Sequence, residues 1–158
     1  MANTQAMCTS FLGELLTATH NFGTAPVRAA STADTFKAAL YLTTATINAS
    51  TTAYTSTGEV TGTGYSAGGV TVTNATPPAS TNSSATAGTA YWTPSASITY
   101  TSVTLTTAFD TVLIYNSTQS NKSVSVHTFG SQTVTAGTFT LTMPANTTST
   151  ALLRLSTT

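Results

Sequence analysis

Charged side chains are scarce in this sequence of 158 residues, which has four basic and four acidic residues and a net charge of zero. They make up 5% of the chain, against about 25% in an ordinary soluble protein. A surface of this kind does not steer toward phosphate backbones and has no electrostatic attraction to anionic lipid. We therefore expect neither nucleic acid nor a membrane among the partners of this protein.

Cysteine is nearly absent, and acidic residues do not cluster. Cys8 stands alone, which excludes an internal disulfide and a zinc site framed by several cysteines. The carboxylates are too far apart in sequence to form the closely spaced oxygen ligands of a calcium loop. They are Glu14, Asp34, Glu59 and Asp110. We expect no metal and no cofactor.

The two histidines offer little catalytic chemistry. His20 ends a predicted helix, where an imidazolium interacts well with the helix dipole. His127 lies on a predicted strand, and a pairing with Asp110 across the sheet would resemble part of a hydrolase triad. No serine in a recognisable context such as G-x-S-x-G accompanies this pair. We predict a protein without enzymatic activity and assign no catalytic residue.

Long apolar runs are missing too, since none approaches the length that spans a bilayer. What the sequence has instead is threonine, which is about a quarter of the chain. Threonine is β-branched and carries a hydroxyl, so it suits the solvent-facing side of a sheet. Sheets that are faced with threonine and short of charge have poorly protected edges. We expect an assembly to cover these edges, although hydroxyl groups alone could keep a monomer in solution.

Residues 109–130 predict the centre of an all-β domain. Val112–Tyr115 is an apolar run typical of a strand buried on both faces. Asn116–Lys122 is polar and turn-prone, and Ser123–Phe129 then alternates like a return strand. Thr138–Met143 predicts a third strand, which would complete a meander.

Further strands are predicted on both sides of this centre. Thr35–Leu42 alternates over its whole length, and Leu152–Leu155 predicts a closing strand. A strand that begins at Tyr91 is interrupted by Pro94, which favours an edge or a bend. About seven to nine strands result, so we predict a single β-sandwich or jelly-roll-like domain over residues 24–158. A mobile loop is predicted near residues 76–88.

One helix is predicted, over residues 4–20, within an N-terminal segment of residues 1–23. Met7, Phe11 and Leu15 recur at i, i+4 and i+8 and would form an apolar stripe. This stripe would lie against the β domain or against a neighbouring subunit. Because it looks separable from the β core, we expect a chain without residues 1–20 still to fold.

A glycine-rich segment spans residues 58–69, with glycines at 58, 62, 64, 68 and 69. A phosphate cradle would need a strand before it and a helix after it. The residues that follow alternate like a strand instead, so we predict a turn or bulge between strands.

Large aromatic residues are the best candidates for a contact surface. Tyr54, Tyr65, Tyr91 and Trp92 could bind sugar, but we favour a place in the core or at a subunit interface. The candidate interface residues are Met7, Phe11, Leu15, Tyr65, Tyr91 and Trp92.

Four segments carry a resemblance to a known family. They are ADTFKAALYL (33–42), GEVTGTGYSAGGVTV (58–72), FDTVLIYNSTQSNKSVSVHTFG (109–130) and TFTLTMP (138–144). In amino-acid sequence and in order, these segments resemble small structural virion proteins of tailed bacteriophages. The N-terminal stretch that leads to a histidine and a glycine resembles them too.

The resemblance implies a non-enzymatic component on the surface of the phage particle. A capsid decoration or cement protein that stabilises the head is the first expectation. A subunit of a head or tail fibre, acting as an adhesin in host attachment, is the alternative. The implied partners are the major capsid protein or other virion proteins, together with further copies of this chain in a homo-oligomer.

Overall fold

The structure, a computed structural model, describes residues 3–8, 11, 15, 19–22, 33–81 and 88–156. The described residues are nearly all β, with almost no helix, and form eight strands in two antiparallel sheets. The strands are β1 (Ala6–Met7), β2 (Phe36–Leu42), β3 (Val70–Thr71), β4 (Ala79–Ser80), β5 (Thr89–Trp92), β6 (Ile98–Asn116), β7 (Lys122–Leu141) and β8 (Leu153–Ser156). The all-β prediction is confirmed at this level.

The larger sheet has five strands in the order β1-β7-β6-β2-β3, and the smaller has three in the order β4-β5-β8. The predicted strand at 35–42 is confirmed as β2, and the closing strand is confirmed as β8, with Arg154 exposed. The strand before Pro94 does not lie at an edge, because β5 runs between β4 and β8. It does end at Trp92, two residues before the proline.

The long hairpin of β6 and β7 organises the larger sheet. Val112–Tyr115 in β6 is buried as predicted, with no side chain more than 2% exposed. The turn that follows holds Ser120 and Asn121 at positive φ, 53° and 59°. Asparagine and small polar residues tolerate this left-handed region better than bulky residues do. The predicted reversal is therefore confirmed.

The predicted meander is wrong, because residues 138–141 are the far end of β7 and not a third strand. Phe139 lies opposite Tyr100 and Thr140 opposite Thr99, so the segment pairs with the beginning of β6. Several register shifts interrupt the ladder, and Ser102 and Ala136 have positive φ nearby. Such bulges let two strands of 19 and 20 residues stay paired while they twist.

The centre of the larger sheet is covered on both faces. Phe36 of β2 lies 4.4 Å from Phe22 and 6.0 Å from Trp92 of the smaller sheet, between ring centroids. On the opposite face, the Tyr41 hydroxyl donates a hydrogen bond of 2.6 Å to the carbonyl of Thr55. The core therefore lies on both sides of β2 and of residues 111–116 of β6, which explains the apolar runs in β2 and at Val112–Tyr115.

The predicted helix over residues 4–20 is not seen. Ala6–Met7 form β1 instead, which pairs with β7 at Val126 and Ser125. Phe11 and Leu15 are in helical conformation, and the other residues of 9–18 lie outside the described part. A helix beginning at residue 4 would leave β7 without the backbone partners that β1 supplies.

The N-terminal segment is part of the core. Cys8 is fully buried, and Phe11 is 2% exposed within the same apolar cluster as β2 and β6. Removing residues 1–20 would uncover this cluster, so the burial of Cys8 and Phe11 argues against the expectation that the shortened chain still folds. In the predicted loop near 76–88, Ala79–Ser80 form β4, and residues 82–87 lie outside the described part.

The burial of Leu113 supports a first testable prediction. Leu113→Asp should abolish folding, because an unpaired carboxylate at a position with 0% exposure costs several kcal/mol, comparable with total domain stability. Thr148→Asp places the same charge at an exposed threonine and should behave as wild type. Thermal unfolding followed by circular dichroism compares the two. A Leu113→Asp variant that melts at the wild-type temperature would contradict the assignment of this strand to the core.

Candidate interaction surface

An apolar groove of about 100 Å³ lies where the N-terminal segment meets the smaller sheet. Five of the six predicted interface residues line it. They are Met7, Phe11, Leu15, Tyr91 and Trp92, and the remaining lining comes from Phe22, Pro78, Ala90, Leu153 and Leu155. Residues from distant parts of the sequence thus form one surface. We call it the apolar groove.

The pairing of β5 with β8 fixes the floor of the apolar groove. Leu153 lies opposite Trp92 and Leu155 opposite Ala90, so the two leucines project from the same face of β8. Leu155 is 41% exposed, which makes it the one large hydrophobic side chain that is exposed among the described residues. The apolar groove is therefore open to solvent at its Leu155 end.

Asn74 holds Trp92 in place at the other end of the apolar groove. Its side-chain oxygen accepts a hydrogen bond of 2.8 Å from the indole nitrogen of Trp92. Its amide nitrogen donates to the carbonyl of Phe22 at 2.9 Å. The indole N–H of Trp92 and the carbonyl of Phe22 are thus both hydrogen bonded. The Trp92 ring packs on Phe22 and Phe36.

The sixth predicted interface residue, Tyr65, lies elsewhere, in a network around Glu59. Glu59 is 7% exposed. It accepts hydrogen bonds from the hydroxyls of Tyr54 (2.6 Å) and Tyr65 (2.8 Å) and from the backbone N–H of Gly68 (2.7 Å). Sequence reasoning missed this network, because an isolated glutamate in a glycine-rich segment gives no sign of burial.

Neighbouring tyrosines extend the network into the sheet. The hydroxyl of Tyr115 donates to the carbonyl of Gly68 at 2.8 Å, and that of Tyr100 donates to the carbonyl of Ala38 at 2.8 Å. Tyr65 also accepts a hydrogen bond of 3.0 Å from the backbone N–H of Leu40. The glycine-rich turn is thereby tied to β2 and β6.

Burial keeps these tyrosines protonated. It raises the pKa of Tyr54 to about 12, with a further contribution from the hydrogen bond to Glu59. Burial also raises the pKa of Tyr115 to about 12 and raises the pKa values of Tyr41, Tyr65 and Tyr100. The hydroxyls are therefore donors at neutral pH. A carboxylate that already accepts three internal hydrogen bonds offers little to a substrate.

The glycine-rich segment is a turn, as predicted. Gly68 and Gly69 have φ of 86° and 71°. A Cβ on Gly69 would lie 1.7 Å from the carbonyl oxygen of Ala38, so only glycine fits against β2 at this point. The N–H of Gly68 is bonded to Glu59, which leaves it unavailable to a phosphate.

A second, larger groove of about 700 Å³ contains a serine–histidine pair. The Nε2 atom of His127 lies 2.9 Å from the Oγ atom of Ser125, a distance suited to a nucleophile and a base. Ser125 is only 1% exposed, however, and burial lowers the pKa of His127 to about 4, which makes it a weak base.

Asp110 does not complete a triad with this pair. Its Oδ1 atom accepts hydrogen bonds from Asn3 at 2.9 Å and from Thr111 at 2.7 Å. Among the residues that the structure describes, none is hydrogen bonded to Nδ1 of His127. The structure thus does not bring His127 and Asp110 together, and Asp110 lies within β6 rather than at its start.

His20 is buried rather than placed at an exposed helix end. Its ring lies 4.9 Å from Phe11 and 6.4 Å from Phe36, between centroids. Its Nδ1 atom lies 3.1 Å from Nδ2 of Asn116, which also donates to Asp34 at 2.7 Å. The amide nitrogen of Asn116 thus has two partners, Asp34 and the His20 ring. The cluster ties the N-terminal segment to the end of β6.

Within the described ranges, no three His, Cys, Asp or Glu side chains are close enough to hold a metal ion. The same part of the chain contains no helix with the length and apolar character to cross a membrane. The chain matches no family model, no curated protein and no solved structure.

The Glu59 network leads to a second prediction. Glu59→Ala should destabilise the fold by about 2–5 kcal/mol, because it leaves three donors without their acceptor in a buried place. Tyr54→Phe removes a single donor and should cost about 1 kcal/mol. Urea unfolding at neutral pH measures both. A Glu59→Ala variant within about 0.5 kcal/mol of wild type would show that the network does not stabilise the turn.

His127 leads to a third prediction, on pH. Its pKa of about 4 in the folded state lies below the ordinary value of 6.5. Between these values the unfolded chain binds a proton that the folded chain does not, so stability falls as pH drops from 6.5 to 4. The loss should be on the order of a few kcal/mol. His127→Gln should remove this part of the slope.

Urea unfolding of wild type and His127→Gln at pH 7.5, 5.5 and 4.5 isolates the contribution, because the carboxylates are common to both proteins. The two curves should diverge as pH falls, with wild type losing more stability. Parallel curves over this range would mean that His127 titrates normally in the folded protein.

Proposed function

We propose that this protein is a non-enzymatic structural component of a tailed-phage virion, and that it serves as a decoration or cement protein on the capsid. In this proposal its two sheets form a single β-sandwich. The protein acts by contact, with the major capsid protein or other virion proteins and with copies of itself, at the surface of the particle. The expectation comes from the resemblance of the segments at 33–42, 58–72, 109–130 and 138–144.

One observation carries the proposal: the apolar groove presents the partly exposed side chains of Met7, Leu15 and Tyr91. Phe11 and Trp92, which are 2% and 3% exposed, form its buried base and belong to the core rather than to a contact surface. Aromatic residues and methionine are enriched where protein interfaces are most buried, and charge is depleted there. The exposed Leu155 at the rim extends this surface toward solvent. An apolar groove without charged lining suits a permanent contact better than a transient, charge-steered one.

The chemistry of the polar groups also supports a role without catalysis. Glu59 is saturated by internal donors. Ser125 is buried, and the neighbouring imidazole is a weak base. The alternative role, as a fibre or adhesin subunit, would place recognition groups at an exposed tip.

Binding to particles tests the proposal and is the fourth prediction. Particles of the encoding phage that lack this protein are incubated with purified chain and sedimented, and bound protein is measured at 50 and 500 mM salt. Wild type should bind at many copies per particle, and the amount bound should change less than about twofold, because apolar contacts are weakly screened. Leu155→Lys should bind at least tenfold more weakly.

Thr61→Lys is the matched control, because it adds the same charge at an exposed residue of the glycine-rich segment, away from the apolar groove. It should bind as wild type does. Binding that disappears at 500 mM salt would contradict an apolar contact. If particles without the protein resist heat normally yet fail to adsorb to cells, the fibre role replaces the cement role.

A further inference from the structure

The larger groove of about 700 Å³, which contains Ser125 and His127, lies where the two sheets end beside each other. Within the described ranges, β8 is an end strand of the smaller sheet and β1 is an end strand of the larger one. Both strands contribute lining residues to this groove. We call it the edge groove, because free strand edges border it.

The hydrogen bonds between β4 and β5 show which backbone groups of β5 are directed toward β8. The N–H of Thr81, the residue after β4, donates to the carbonyl of Thr89 at 3.1 Å. The backbone groups of Thr89 are therefore directed toward β4. Because backbone groups alternate in direction along a strand, those of Ala90 and Trp92 are directed toward β8.

The same alternation fixes the direction of the backbone groups of β8. Its two leucines lie opposite Trp92 and Ala90, so they exchange their hydrogen bonds with β5. The N–H and C=O groups of Arg154 and Ser156 then point away from β5, toward the open side of the strand. Both residues are exposed, and both line the edge groove. An added strand would find unpaired donors and acceptors there.

β1 presents backbone groups from the other side of the edge groove. The N–H of Cys8 donates to the carbonyl of Val124 at 3.1 Å, so the backbone groups of Cys8 are directed toward β7. Those of its neighbour Met7 are therefore directed away from β7. Met7 also lines the edge groove. Outward backbone groups of both sheets thus border one groove.

Arg154 is the one charged side chain among the residues that line the edge groove. Its guanidinium donates a hydrogen bond of 2.7 Å to the carbonyl of Ser149, which fixes its position. In the described part of the chain, no carboxylate forms an ion pair with it. A guanidinium has five N–H donors and binds a carboxylate through two parallel hydrogen bonds. Arg154 therefore favours an occupant that carries an acidic group.

The floor of the edge groove is polar, in contrast to the apolar groove. Ser125 and His127 project from the same face of β7 and are hydrogen bonded to each other at 2.9 Å. Burial lowers the pKa of His127 to about 4, so the imidazole is neutral at neutral pH and adds no charge to that of Arg154. Such a floor suits polar side chains of an occupant better than apolar ones.

We propose that the edge groove binds an extended peptide segment of another protein, which adds to the free edge of β8 and places an acidic side chain on Arg154. The backbone groups of Arg154 and Ser156 supply the main-chain hydrogen bonds from which such β-augmentation obtains its affinity. β8 has only four residues, so the pairing is short. The contact between the carboxylate and the guanidinium sets its register.

This chain is a poor source of the acidic segment. Three of its four carboxylates accept hydrogen bonds from their own fold, and these are Asp34, Glu59 and Asp110. A second copy would have to break those bonds to present an acidic side chain. The occupant is therefore a different protein.

This contact goes beyond the proposed virion role and does not depend on it. It is measured with the purified chain and a peptide, with no particle present. It can therefore fail while the virion role holds, or hold while the virion role fails.

The fifth prediction concerns peptides that are selected for binding to the purified full chain from a library of random linear nonapeptides. The enriched peptides should share an acidic residue in an otherwise uncharged, extended stretch. Fluorescence anisotropy at neutral pH gives the Kd of each labelled peptide. Arg154→Gln should weaken binding about tenfold, because it removes hydrogen bonds between charged groups. Replacing the acidic residue of the peptide by its amide should have the same effect.

Each variant of the edge groove has a matched control. Thr61→Glu changes the net charge by the same amount as Arg154→Gln, at an exposed residue of the glycine-rich segment, and should bind as wild type does. Ser156→Pro removes an outward N–H of β8, where an edge strand tolerates proline, and should abolish binding. Ser156→Ala loses the same hydroxyl but keeps the N–H, so it should bind as wild type does.

Hydrogen exchange locates the contact, since bound peptide should protect the amides of Arg154 and Ser156. A library that yields no binder would overturn the proposal, as would binders without an acidic residue. Peptides that bind Arg154→Gln or Ser156→Pro as tightly as wild type, or that leave both amides unprotected, would overturn it too. A wild-type dimer in sedimentation velocity that Ser156→Pro abolishes would assign the edge to a second copy instead.

Discussion

The pairing of β2 with residues 109–116 of β6 is the interaction on which the rest of the structure depends. Ala38 lies opposite Ile114, Ala39 opposite Leu113 and Leu40 opposite Val112, so apolar side chains fill both faces of the pair. A pair buried on both faces needs a cover on each side. The smaller sheet and the N-terminal segment cover one face, and the glycine-rich segment covers the other.

Single polar residues, buried or half-buried, connect these covering segments to the central strands. Glu59 fixes the glycine-rich segment, Asn74 fixes Trp92, and Asn116 joins Asp34 and His20 to the end of β6. Each satisfies several partners at once, as a buried polar group must if it is not to cost stability. With so few charges in the chain, hydrogen bonds of this kind make the connections that ion pairs make in other proteins.

Strands buried on both faces could be predicted from sequence because their signal is local. Val112–Tyr115 and residues 36–42 are apolar runs, and the polar residues between β6 and β7 mark a turn. The continuation of β7 through residues 130–137 was missed, because GSQTVTAG, a run of small and polar residues between two glycines, looks the same in a loop and in a bulged strand. Glu59 and its partners depend on tertiary contacts, which no local pattern reveals.

The N-terminal segment shows how a wrong secondary structure can accompany a correct grouping. The spacing of Met7, Phe11 and Leu15 predicts a helix, yet Met7 belongs to β1. The three side chains still meet, because all of them line the apolar groove.

We propose that this fold serves as a contact module on a phage virion, and a cryo-EM map of the intact particle that the proposal implies tests it most directly. The account predicts density for this chain at many equivalent positions over the head, with the apolar groove facing a neighbouring protein. Density confined to a single vertex or to the tail, or a groove left open to solvent at every copy, would contradict it.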